Sequence, residues 1–206
     1  MPLIRKDSAP IWPSASSSTE SILIALTQGS IEERWAAARA AAELPGGPEA
    51  LGRALATEPN PRVREAILTG LARLRSSESV HTVLPYLRSD DANLRTEALD
   101  ALRAMGEVVK PHLPSLLRDD DPDVRILACD LARALPGTEA TQLLCEILAF
   151  EAEANVCAAA VDVLAESAGP EALPALRECA GRFWNDPFLG FAIDVATGRI
   201  ASQSGS

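Results

Sequence analysis

The chain has 206 residues, of which 47% are hydrophobic and 23% charged, enough to bury a sizeable core and too general to exclude either an enzyme or a scaffold. Eight aromatic residues against 36 alanines favour helices in close contact. Nineteen Lys and Arg against 29 Asp and Glu leave a net charge of −10, a field that repels a phosphate backbone and argues against nucleic acid as a partner.

Residues 1–18, rich in Ser and Pro and containing Ile11-Trp12-Pro13, show no helical period and read as a flexible N-terminal tail. The basic pair Arg5-Lys6 is not followed by an apolar stretch of signal-peptide length. Nothing later approaches the roughly 18 consecutive apolar residues of a membrane span. The expectation is a cytoplasmic protein with no membrane association.

From about residue 19 to 201 the chain repeats itself, and residues 202–206 form a short flexible C-terminal tail. The segments NPRVREAILTGLARL (60–74), DANLRTEALDALRAM (91–105), DPDVRILACDLARAL (121–135) and EANVCAAAVDVLAES (153–167) superpose without gaps. Anchoring the frame on Val63, Leu94, Val124 and Val156 extends it back to Glu33 and forward to Phe188, which makes six units of 30 to 32 residues. In each unit the positions 4, 7, 8 and 11 after the anchor are mostly apolar, the stripe of an amphipathic helix. Three residues before the anchors stand Ser30, Asn60, Asp91, Asp121, Glu153 and Asn185, which read as N-caps. Pro61 and Pro122 follow two of them at the first helical position, where a missing N–H does no harm.

Upstream of each cap lies another apolar run, as in SVHTVLPYLRS, VVKPHLPSLLR and PEALPALRECA, so each unit is a helical hairpin. Pro85, Pro114 and Pro174 inside or near the start of these first helices are expected to bend them or shift their boundaries. A single hairpin cannot bury its apolar face, and stacking neighbours makes one continuous core. Near the end, Phe183, Trp184, Phe188 and Phe191 are expected to seal the last repeat, with any exposed remainder a contact for a weak dimer. Cys129, Cys145, Cys157 and Cys179 match no zinc or redox spacing and read as buried free thiols.

The first helix of xPLL type, the turn with Asp or Asn, and the second helix of pattern D-x-x-V-R-x-x-A-x-x-x-L resemble HEAT repeats. The match is carried best by Asn60/Val63/Arg64, Asp91/Leu94/Arg95 and Asp121/Val124/Arg125. The short period is similar to the bacterial subgroup that includes phycobilisome lyase-like repeats. The resemblance implies an all-α, right-handed α-α solenoid of about six hairpins, with second helices lining a concave face and Asp/Asn and Arg of successive units forming a hydrogen-bonded ladder. That ladder departs at Cys157 and Leu189, where Arg is absent. The family implies binding and scaffolding more often than chemistry. Its lyase-like members attach or remove bilin chromophores, so the alternative is a subunit that handles a chromophore or metal cluster on a client protein.

The residues offer little chemistry of their own. His81 and His112 lie on first helices beside Pro and apolar residues, without an i+4 metal-ligating partner. No phosphate loop, GxSxG, HExxH or CxxC occurs, and Asp119-Asp120-Asp121-Pro122-Asp123 lacks the sixth-position Gly and closing Glu of a calcium loop, which leaves it a capping turn. No cofactor is expected.

On the second helices the positions 2, 6 and 9 after the anchor point away from the core, onto the surface that the resemblance makes concave. There stand Trp35, Arg39, Thr96, Asp100, Arg103, Ile126, Asp130, Arg133 and Asp162, with Asp194 continuing the aspartate row. One reading is a solvated face with local i,i+3 pairs Asp100/Arg103 and Asp130/Arg133. The other is a groove with Trp35 and Ile126 as apolar anchors and aspartates that select a basic segment. Residues 1–103 hold 12 basic and 13 acidic side chains and residues 104–206 hold 7 and 16, so a basic partner is drawn to the C-terminal half. The function expected is a non-enzymatic adaptor or assembly factor, monomeric or weakly dimeric. Reversing Asp100 and Asp130 to Arg is expected to weaken partner binding.

Overall fold

The computed structural model describes residues 19–203; the tail expected over 1–18 and the end of the one expected over 202–206 lie outside the described residues. Every regular element among the described residues is helical, and the chain divides into two compact units, residues 1–70 and 71–206.

In the first unit α1 (Thr19–Gln28), α2 (Ile31–Ala41), α3 (Gly47–Leu55) and the start of α4 (Pro61–Leu74) surround a core of Leu26, Ala38, Leu51, Leu55, Val63 and Ile67. Ser30 caps α2 in a capping box. Its hydroxyl accepts from the Glu33 N–H, and the Glu33 carboxylate accepts from the Ser30 N–H. Glu33 is therefore an exposed capping acid at the first anchor, where the other units begin their core stripe. The α2–α3 turn needs its two glycines: Gly46 has φ +72°, and a Cβ on Gly47 would stand 2.4 Å from the Ala41 carbonyl oxygen.

The second unit stacks hairpins made of α5 (Ser77–Val83), α6 (Ala92–Met105), α7 (Leu113–Leu116), α8 (Pro122–Leu131), α9 (Gly137–Phe150), α10 (Ala154–Ser167), α11 (Leu173–Arg182) and α12 (Pro187–Gln203). Within this unit α6 packs on α8, α8 on α10, and α10 on α12, one second helix against the next. The architecture is an all-α solenoid.

Proline breaks the first helices where expected. Leu84–Arg88, with Pro85 at its start, is a tight three-residue-per-turn segment, and α7 begins at Leu113 after another such segment over Gly106–His112. α11 starts at Leu173 behind Pro170–Ala172. Each ring removes a donor and clashes with the preceding turn, so the α-helix restarts or tightens there.

The caps follow the sequence except at the last two units. Asp91 accepts from the Asn93 and Leu94 N–H groups, Asp121 from Asp123, and Asn60 from Arg62, whereas Glu153 makes no side-chain cap bond. At α12 the cap is Asp186 and not Asn185: its carboxylate accepts from the Phe188 and Leu189 N–H groups at 3.0 Å. The sixth anchor is accordingly Leu189, 2% exposed, while Phe188 is 86% exposed. Asp194 thereby leaves the aspartate register. The aromatic seal is corrected with it, because Trp184, Phe188 and Phe191 stand out in solvent. Replacing Asp186 by Ala is expected to lower stability by about 1 kcal/mol, and Asn185→Ala to be near neutral, in thermal melts.

Cys129, Cys157 and Cys179 are buried and Cys145 half-buried, all as free thiols. The neighbouring Cys157 thiol and the Arg182 guanidinium pull the Cys179 thiol down to about 7, while Cys179 and burial push Cys157 up.

Candidate protein-binding face

In the second unit, five of the residues expected on the outward face of the second helices come together across three units. Arg103 of α6 donates to its neighbour Asp100 at 2.6 Å and, through Nε at 2.7 Å, to Asp130 of α8. Arg133, one turn beyond Asp130, donates back to it at 3.0 Å and forward to Asp162 of α10 at 2.5 Å and to Glu166. The i,i+3 pairs are thus halves of a chain that runs Asp100, Arg103, Asp130, Arg133, Asp162/Glu166. Each guanidinium joins one repeat to the next. Burial works against the Arg133 charge but is outweighed by Glu166 and Asp162, and its pKa is raised.

The ends of this chain are open. The side chains of Asp100, Asp162 and Glu166 are 61%, 67% and 54% exposed, whereas Asp130, enclosed between the two arginines, is 23% exposed. Four carboxylates and two guanidiniums leave a surplus of two negative charges.

The remaining predicted residues are placed differently. Thr96 is exposed on α6, with its hydroxyl donating to the Ala92 carbonyl of its own helix. Ile126 is half-buried on α8. In the first unit Trp35 is half-buried and carries two guanidiniums against its ring, Arg39 at 4.8 Å and Arg62 of α4 at 5.1 Å. Arg62 and Glu166 were not singled out in the sequence.

A second set of charges differs from the Asp/Asn–Arg ladder implied by the resemblance, because its carboxylates are glutamates ahead of the caps and not the caps themselves. Arg34 and Arg125, each just after its anchor, form two-pronged pairs with the buried carboxylates Glu58 (2.7 and 3.0 Å) and Glu151 (2.8 and 3.0 Å). Both acids stand two residues before the next cap and also accept its backbone N–H, from Asn60 and from Glu153. Burial pushes both carboxyls up. The paired arginine and the backbone donors outweigh it and hold them below the ordinary 4.5.

Nη1 of Arg34, Arg95 and Arg125 reaches the loop carbonyls of Gly29, Ser89 and Asp119. In the fifth unit Cys157 replaces the arginine, and Arg182 from α11 supplies the guanidinium instead, donating to the carbonyls of Glu151 at 3.0 Å and of Leu148. A cleft of about 240 Å³ in the first unit contains Arg34 and Glu58, which already satisfy each other.

His81 and His112 are 31 residues apart, one repeat, and meet edge to face with ring centroids 4.7 Å apart. The His81 Nδ1 lies 2.7 Å from the Ser77 carbonyl. Desolvation and the neighbouring His81 lower the His112 pKa. Among the described residues there is no cluster of three metal-capable side chains, and no helix is long and apolar enough to cross a membrane.

The HEAT-repeat family profile matches residues 48–116 and 109–187. Among solved structures, the chain is similar to an archaeal HEAT-like repeat protein from Thermococcus onnurineus, with 16% identity, 89% of this chain and 87% of that one covered, and a TM-score of 0.51. It is also similar to Cex1p, with 14% identity, 93% and 42% covered, and a TM-score of 0.52; it spans less than half of that protein. The complex of CpcE and CpcF of phycocyanin lyase from Nostoc matches at 16% identity, 95% and 99% covered, with a TM-score of 0.39. No curated protein matches the sequence.

Proposed function

The chain belongs to the HEAT-repeat family, and from that premise we propose that it is a non-catalytic adaptor or assembly factor whose partner is a protein with a basic segment. The partner lies along the outward face of the second helices, which the family resemblance makes concave. The observation that supports this reading is the acidic chain from Asp100 to Asp162 and Glu166, bridged by Arg103 and Arg133. The bridges hold the carboxylates in one geometry before a partner arrives, so less side-chain freedom is lost on binding. The exposed oxygens at the two ends accept Lys or Arg from the partner. Thr96 and Ile126 belong to the same proposed surface of the second unit, and Trp35 and Arg39 are proposed as binding residues of the first, Trp35 with its stacked arginine being of the type that dominates interface energetics.

Asp130 serves two arginines at once, so reversing its charge strands both, and neutral changes at the open end make the cleaner test. The tagged chain and its Asp162→Asn/Glu166→Gln variant are each purified from the native host at low salt, and associated proteins are identified by mass spectrometry. The expected result is a partner bound roughly tenfold more weakly by the variant, with affinity for wild type falling as salt rises. A partner held equally by both, at any salt, overturns the reading.

A further inference from the structure

The core face of α12, Leu189, Ile193, Ala196 and Ile200, packs against α10 and α11. At 100° per residue the opposite side carries Phe188, Phe191, Val195, Gly198 and Ser202 in one line, with Trp184 just ahead of the helix. Trp184, Phe188, Phe191 and Val195 are 83%, 86%, 72% and 37% exposed. Single exposed apolar residues are ordinary, but a contiguous stripe at helical spacing that holds three of the eight aromatic residues marks a contact. We propose that this stripe is where two copies of the chain meet, with their α12 helices antiparallel and crossing at Val195.

The shape of the stripe selects a second copy as the occupant. Side-chain volume falls along it from Trp and Phe through Val to Gly and Ser. An antiparallel pair sets the bulky end of each helix against the small end of the other: seven residues separate Val195 from both Phe188 and Ser202, so Phe188 of one copy faces Ser202 of the second, and Phe191, four residues before the crossing, lies within one residue of Gly198, three after it. A parallel pair stacks ring on ring at one end and leaves a gap at the other.

Gly198 carries this argument further. It lies in regular helix, is not among the positive-φ glycines, and a Cβ there would meet nothing within 4 Å. The fold of one copy gives no reason for glycine, which is a poor helix former, whereas a notch for the opposing Phe191 does. The area is also sufficient. Three aromatic side chains of roughly 150–250 Å² each, about four-fifths exposed, supply on the order of 450 Å² per copy. Two copies with their flanking residues approach the ~1,200 Å² at the small end of stable interfaces.

Phe191, Val195 and Gly198 stand 2, 6 and 9 residues after Leu189, so the stripe continues the outward row of α8 and α10 onto α12, but it is apolar where that row is acidic, and salt separates the two inferences. Each copy carries −10, so raising salt screens the repulsion between copies and strengthens the dimer, while it weakens capture of a basic partner. Sedimentation equilibrium of the full chain across a concentration series is expected to move from 21.8 kDa towards twice that mass. Phe188→Asp with Phe191→Asp should abolish the shift, circular dichroism confirming the fold. Gly198→Ala should raise the melting temperature of the dilute protein yet weaken association severalfold. Under mild oxidation Val195→Cys should cross-link to itself faster than Phe188→Cys, with the wild type as background. A chain that stays at monomer mass throughout, or preferential cross-linking at position 188, overturns the proposal.

Discussion

Glu151→Ala is expected to destabilise the second unit by about 3–5 kcal/mol, because it leaves the Arg125 guanidinium buried without its counter-charge. The side chain of Glu151 is 6% exposed and that of Arg125 14%. Glu151 accepts two bonds from Arg125 and the N–H groups of Ala152 and Glu153, so one substitution also removes the partners of the α9–α10 turn. A chain of this size shifts its melting temperature by roughly 2–4 °C per kcal/mol, so a loss of about 10 °C in a calorimetric scan is the expected reading. Glu151→Gln, which keeps an acceptor but not the charge, should fall between. A melting temperature unchanged in Glu151→Ala would show the pair contributes nothing net.

The same pair sets an acid limit. Glu151 and Glu58 titrate below the ordinary 4.5 in the folded chain. Their stabilisation is therefore complete above that value, where both states are ionised. It is lost as pH falls through the folded values, because the unfolded state takes up the protons first. Acid unfolding is expected below pH 4.5, and Glu151→Gln should flatten the loss of stability across that window in pH-dependent melts.

The second helices were legible in the sequence because two signals repeat together, the apolar stripe and the capping residue before it. At the sixth unit the interval gains a residue and both Asn185 and Asp186 are able to cap. Choosing the wrong one turns the helix by 100°, which puts Phe188 inside and Leu189 outside. The pair Asp186-Pro187, matching Asp121-Pro122, was the available signal.

The acidic face was legible as a row, and Asp100/Arg103 and Asp130/Arg133 as pairs. Their linkage was not. Whether Arg103 reaches Asp130 depends on the axial offset between stacked helices, which no spacing within one repeat encodes. Glu58 and Glu151 were missed for a related reason. A Glu two residues before a cap looks like an ordinary loop acid until the arginine of the preceding second helix arrives against it. His81 and His112 likewise lack any local partner and meet only because they hold similar positions one repeat apart.

The substitution of arginine by Cys157 tests whether the ladder is a matter of position or of chemistry. Arg95 and Arg125 each send Nη1 to the carbonyl six residues back, at Ser89 and Asp119. Six residues before Cys157 is Glu151, and its carbonyl takes Nη1 of Arg182 at 3.0 Å with the Cys157 sulfur 3.8 Å away. The same acceptor is thus served by a guanidinium from a different helix. Arg182→Ala is expected to cost about 2–3 kcal/mol, the loss of charge-assisted bonds to two loop carbonyls. Cys157→Arg, alone, is expected to cost more, about 3–5 kcal/mol, because a second cation enters a fully buried position whose acceptor is already occupied. Joined in one chain, the two changes restore the loop-carbonyl contact that Arg95 makes, so the double variant should be more stable than the sum of the two losses by at least 1 kcal/mol, a coupling of the size seen between residues that share a partner. Strict additivity in urea unfolding of the four proteins would mean that Arg182 holds the α9–α10 turn through packing and not by replacing the missing arginine.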